Sequence, residues 1–148
     1  MTPRQIELVQ SSFDQVLPIL EPAAMMFYDR LFQLDPSLRR MFRTPQPEQA
    51  RKLAHILTVV VKGLSQPEKI VPAVQELGRR HGTYGVQPEH YATVGTALLL
   101  TLQAGLGEAF TPKVREAWSA AYMFLASVMQ HAAAEVEMFG VLPMVQLA

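Results

Sequence analysis

At 148 residues, nearly half of them apolar, the chain has the length of one domain and enough hydrophobic residues for a packed core. Thirteen basic residues balance thirteen acidic ones, which removes the charge argument for nucleic acid or an anionic membrane surface as a partner. Cysteine is absent, which excludes disulfides, thiolate catalysis, iron–sulfur clusters and the common zinc motifs.

Taken in chain order, the start (Met1 to Gln5) lacks the apolar run of a signal peptide. The longest apolar stretches, Val59 to Val61 and Leu98 to Leu100, are far too short to span a bilayer, so a cytoplasmic protein is expected. Thr2-Pro3 opens a first helix, because proline's missing N–H has no intrahelical partner at that position. Thr2 and Gln5 have capping-box spacing, and Ile6, Val9, Phe13, Val16 and Leu20 form the apolar stripe behind them. Glu21-Pro22 starts the next stripe, Phe27, Leu31 and Leu34, and Asp35-Pro36 starts another segment. Gln46-Pro47 precedes Leu53, Leu57, Val60 and Leu64. Gln66-Pro67 precedes Ile70, Val74, Leu77 and His81, with Gly82 and Gly85 as stop signals. Gln87-Pro88 leads into Tyr91, Val94, Leu98 and Leu102, and Thr111-Pro112 into Trp118, Tyr122, Leu125 and Met129. No segment shows sustained period-two alternation. The expectation is a single all-α domain over 1–148, of seven to eight helices. Residues 139–148 are apolar but broken by Gly140 and Pro143, and form a tail that packs on the body or at a dimer contact. Monomer and homodimer both remain open.

His81 is the residue with most chemical content. It continues an apolar stripe, so it points inward, and spacing alone fits a hydrogen-bonded core histidine better than a metal ligand. A neutral imidazole on a rigid helix, its second nitrogen held by the carbonyl one turn earlier, is nevertheless a good axial ligand for haem iron. Gln49 is the second oddity. With its direction as zero, Leu53, Leu57, Val60 and Leu64 fall at roughly +40°, +80°, +20° and +60°, so a polar amide heads an apolar face. The simpler account is a helix-start side chain that reaches solvent. Tyr28 can bury its ring with its hydroxyl satisfied anywhere, and Phe42 reads as a core aromatic. His55 faces solvent, His90 sits in a first helical turn, and His131 lies among alanines where an interior position is open. There is no HExxH, no histidine pair at i,i+4 and no convergent carboxylate pair, so zinc hydrolysis and glycoside hydrolysis find no constellation.

Taken together, these residues resemble a family. Phe27-Tyr28 with Leu31-Phe32, then Pro36, Leu38 and Met41-Phe42, then Gln49 to Leu53 are similar to single-domain bacterial globins, to the globin domain of flavohaemoglobins and to neuroglobin. So are Leu77-Gly-Arg-Arg-His81 with Gly85-Val86, Tyr91 with Val94-Gly95, and Leu106 through Trp118 to Tyr122. The resemblance runs from about residue 3 to residue 130. It implies a globin fold around a pocket for haem b (iron protoporphyrin IX). His81 resembles the proximal iron ligand and Phe42 the aromatic stacked on the porphyrin. Tyr28, Gln49 and Leu53 match a distal trio in which phenol and amide donate to the bound gas and leucine roofs it. Lys52 and Arg80 are candidates for the haem propionates, and Tyr91 matches a proximal tyrosine.

The function implied is reversible binding of O₂, for storage or transport, with CO and NO as further ligands. A polarised ligand such as O₂ gains from phenol and amide donors, by about 1 kcal/mol each. The first alternative is NO dioxygenation, which needs a separate reductase because the chain is expected to end without flavin and nicotinamide domains. The second is gas sensing, and the third a haem-free helical module. Two departures from the relatives bear on these. The last-helix glutamate of flavohaemoglobins falls at Ala133 here, with Glu135 and Glu137 as the neighbouring carboxylates, which weakens the enzymatic reading. Gln49 stands where neuroglobin has a distal histidine that coordinates the iron.

Overall fold

The computed structural model describes residues 1–138, in which six α-helices and three short 3₁₀ segments follow one another without a strand. The helices are α1 (Pro3–Val16), α2 (Leu20–Leu34), α3 (Gln46–Gly63), α4 (Pro67–Thr83), α5 (Pro88–Leu106) and α6 (Pro112–Met138). The 3₁₀ segments Leu17–Ile19, Pro36–Met41 and Gly107–Ala109 join α1 to α2, follow α2, and follow α5. The all-α expectation is met, and the seven to eight helical segments resolve into these six helices and their 3₁₀ turns. The expected tail over 139–148 lies outside the described residues.

Proline punctuation explains most of the boundaries. Pro3, Pro67, Pro88 and Pro112 are first residues of their helices, where a missing N–H costs nothing. Pro22 and Pro47 fall one or two positions further in, still in the first turn, and Pro36 opens a 3₁₀ segment. Thr2 caps α1 as the spacing predicts: its hydroxyl accepts from the Gln5 N–H at 3.1 Å, and the Thr2 N–H donates to Gln5 Oε1 at 2.9 Å. A box not foreseen caps the start of α5, where the Gln87 N–H donates to His90 Nδ1 at 2.9 Å. That bond accounts for His90 as a capping residue.

The apolar stripes meet in two clusters. The larger gathers Val9, Phe13 and Val16 of α1, Val60 and Val61 of α3, Ile70 and Val74 of α4, and Ala117, Trp118 and Ala121 of α6. Trp118 donates from Nε1 to Ser12 Oγ at 2.9 Å, and Ser12 donates in turn to the Leu8 carbonyl at 2.6 Å, so neither buried polar group is orphaned. The smaller cluster holds Phe27, Tyr28, Leu31 and Phe32 of α2 with Leu38 and Ala97, and Phe42, Leu53, Val94 and Leu98 pack against it. Leu34, expected in the α2 stripe, is exposed because it is the helix's last residue and turns past the cluster. Helix α4 packs closely on α6. A β-carbon at Gly78 would collide with the Met129 backbone, so only glycine allows this approach.

Candidate functional site

His81 sits in the last turn of α4, half-buried, with Nδ1 2.7 Å from the carbonyl oxygen of Leu77. A carbonyl only accepts, so Nδ1 carries the hydrogen and Nε2 is left with a free lone pair. Burial lowers the pKa of the ring, the Leu77 bond opposes this, and the charge of nearby Arg80 lowers it further. The net effect favours the neutral imidazole, the form that ligates a metal. The exposed Tyr84 ring lies 6.1 Å away, centroid to centroid. One residue on, Gly82 faces Ala133 of α6, so the last-helix position expected to lack a glutamate does lie beside the histidine's turn. Glu135 is exposed and pairs with His131 at 3.2 Å. That placement corrects the open interior position of His131: its side chain is on the water-facing side of α6, while Ala132 of the same turn is buried. The Glu137 side chain lies outside the described residues.

A second constellation forms where α2, the 3₁₀ segment after it and the start of α3 converge. Tyr28, Phe32, Arg39, Phe42, Thr44, Gln46 and Gln49 line one small cavity of about 50 Å³. Tyr28 is buried at 7% exposure, and its hydroxyl makes no hydrogen bond to any described residue. Burial pushes its pKa up to about 12, so the group stays a neutral donor at any ordinary pH. Phe42 packs edge-on against Tyr28 at 5.4 Å and against Phe32 at 5.5 Å, and the Arg39 guanidinium lies 4.5 Å over the Phe32 ring. Gln49 is half-buried and lines the cavity. Leu53, one turn further along α3, packs on the Tyr28 cluster and also lines an apolar cavity among Phe13, Phe27, Leu57, Leu98 and Trp118.

Tyr28, Gln49 and Phe42 are thus brought together, with Leu53 adjoining them, while His81 lines neither cavity. Lys52 and Arg80 are exposed. Tyr91 is buried in α5, and its carbonyl accepts from the Tyr122 hydroxyl of α6 at 2.5 Å. Burial raises the pKa of both tyrosines, and proximity to Tyr91 raises that of Tyr122 further. The cavity residues that sequence reading missed are Phe32, Arg39, Thr44 and Gln46. Only Gln46 left a signal, its spacing of one helical turn from Gln49.

Residues 25–129 match the family model described as Globin. The chain belongs to the globin family. This globin is 33% identical over 126 residues to the Flavohemoprotein of Bacillus subtilis (strain 168), a match covering 83% of this chain and 32% of that one. It is 30% identical over 137 residues to the Neuroglobin of Tetraodon nigroviridis, covering 83% and 86%. The globin spans about a third of the length of the flavohemoproteins it matches. Its fold is that of a solved structure described as a hexacoordinated heme protein from an anhydrobiotic tardigrade, with a TM-score of 0.81 at 18% identity, over 90% of this chain and 96% of that one.

Proposed function

We propose that this globin holds haem b on His81 and reversibly binds O₂, with CO and NO as further ligands. The observation that carries the reading is the bond between His81 Nδ1 and the Leu77 carbonyl, because it leaves Nε2 as a lone-pair donor fixed in direction. No group of three or more His, Asp or Glu side chains among the described residues could hold a bare metal ion. A single well-oriented histidine suits a metal whose remaining ligands come from a macrocycle. Haem would supply the iron at which a diatomic gas binds. Tyr28 and Gln49 act as donors toward that gas, Leu53 roofs it, Phe42 stacks on the porphyrin, Lys52 and Arg80 are the cations available to the propionates, and Tyr91 stands on the proximal side. The hydroxyl of Tyr28 supports its role, since it makes no hydrogen bond to a described residue and lies at the cavity wall, where it can donate to a ligand.

NO dioxygenation with a separate reductase is the second reading, supported by the flavohemoprotein relatives. The small Ala133 beside Gly82 offers no carboxylate to the turn of His81, which favours ligand binding over turnover. The test is a spectrum of the haem-reconstituted protein, deoxygenated and then exposed to O₂ and CO, beside His81→Ala. Stoichiometric haem uptake and a stable oxygenated form, lost or altered in the variant, are expected. No haem uptake by the wild type would sink the proposal. Sustained NO consumption with a cellular reductase would move the assignment to the enzymatic reading.

A further inference from the structure

The first turn of α3 carries Gln49, yet no side chain caps it: its N-cap is Pro45. Uncapped first turns leave N–H groups without intrahelical partners and fray easily. Here a side chain of the helix itself makes the tie. Gln46 donates from Nε2 to Asp29 Oδ1 at 2.9 Å and to the Met25 carbonyl at 3.2 Å, both on α2. An amide nitrogen has two hydrogens, so both are used. The acceptors bracket Tyr28 in the sequence: Asp29 follows it directly and Met25 lies one turn before. Gln46 itself lies one turn before Gln49 and lines the same cavity. One side chain therefore joins the turn bearing the amide donor to the turn bearing the phenol donor.

We propose that Gln46 is a positioning residue of this cavity, whose bonds to Asp29 and Met25 set the separation of the Gln49 amide from the Tyr28 hydroxyl. The inference rests on the reading of Tyr28 and Gln49 as gas-facing donors. Deeper in α3, Ala50 and Ala54 are buried, so the helix stays docked when the tie is lost, and the disturbance is confined to the turn of Gln49. A merely structural staple would lower stability without acting through Gln49.

The experiment compares haem-loaded wild type, Gln46→Ala, Gln49→Ala and the double variant by O₂ dissociation rate and by the infrared stretch of bound CO, which reports hydrogen bonding to the ligand. Asp29→Asn, which keeps an acceptor oxygen, and Tyr28→Phe are the controls, and circular dichroism confirms folding. Gln46→Ala should speed O₂ dissociation about threefold or more and shift or split the CO stretch, with no further effect when Gln49 is already alanine. Asp29→Asn should resemble wild type. A Gln46→Ala variant that lowers Tm but leaves rate and stretch unchanged, or effects that add in the double variant, would overturn the proposal. An unchanged Tyr28→Phe would instead refute the gas-facing geometry, and the positioning role would fall with it.

Discussion

Tyr28 combines a buried ring with a hydroxyl that makes no hydrogen bond to a described residue, at the wall of the cavity it shares with Gln49, so the phenol is available to donate to a ligand. Tyr28→Phe should therefore raise the O₂ dissociation rate of the loaded protein roughly fivefold or more, measured by stopped flow. The same variant should change the Tm of the haem-free protein little, because the hydroxyl it removes makes no bond to a described residue and is not itself a buried atom. Much of this site was legible in the sequence. His81 continued a stripe, and its bond to Leu77 follows from i,i+4 geometry alone. Gln49 was legible only as an anomaly. Its choice between solvent and cavity depends on α2 and the 3₁₀ segment Pro36–Met41, which no local pattern places. Arg39 was invisible for the same reason, since its long side chain reaches the cavity across the Phe32 ring.

At the scale of elements, the helices were readable because their starts carry proline and their caps act within three residues. How the helices pair was not, because close approach depends on single small residues. Gly78 is the strongest case. Gly78→Ala should force α4 away from α6 and cost about 1–3 kcal/mol in urea unfolding, with haem affinity falling as the turn of His81 moves. The joint between α1 and α6 depends instead on a polar contact. Ser12→Ala would leave the Trp118 indole N–H buried without an acceptor, so a loss of about 1–3 kcal/mol is expected from the urea midpoint. Trp118 was recognisable as a core residue, but its need for Ser12, 106 residues away, was not.

Across the whole molecule, the three tyrosines with raised pKa values give stability a common pH dependence. Each phenol holds its proton more tightly when folded, so their contribution is intact below the unfolded value near 10 and is lost as pH rises through the folded values. Stability should fall above about pH 10, and for Tyr28 the loss continues to about 12, on the order of 2–3 kcal/mol. Urea midpoints taken across this range should decline less steeply in Tyr28→Phe. The close contact of Gly78 with the Met129 backbone has a different consequence. Two helices that nearly touch cannot separate by degrees, so the amides around Gly78 should exchange with deuterium only when the whole protein opens. Those at the start of α3 need no more than a local excursion, so the protein should show one slow half and one fast half, with Gln49 in the fast one.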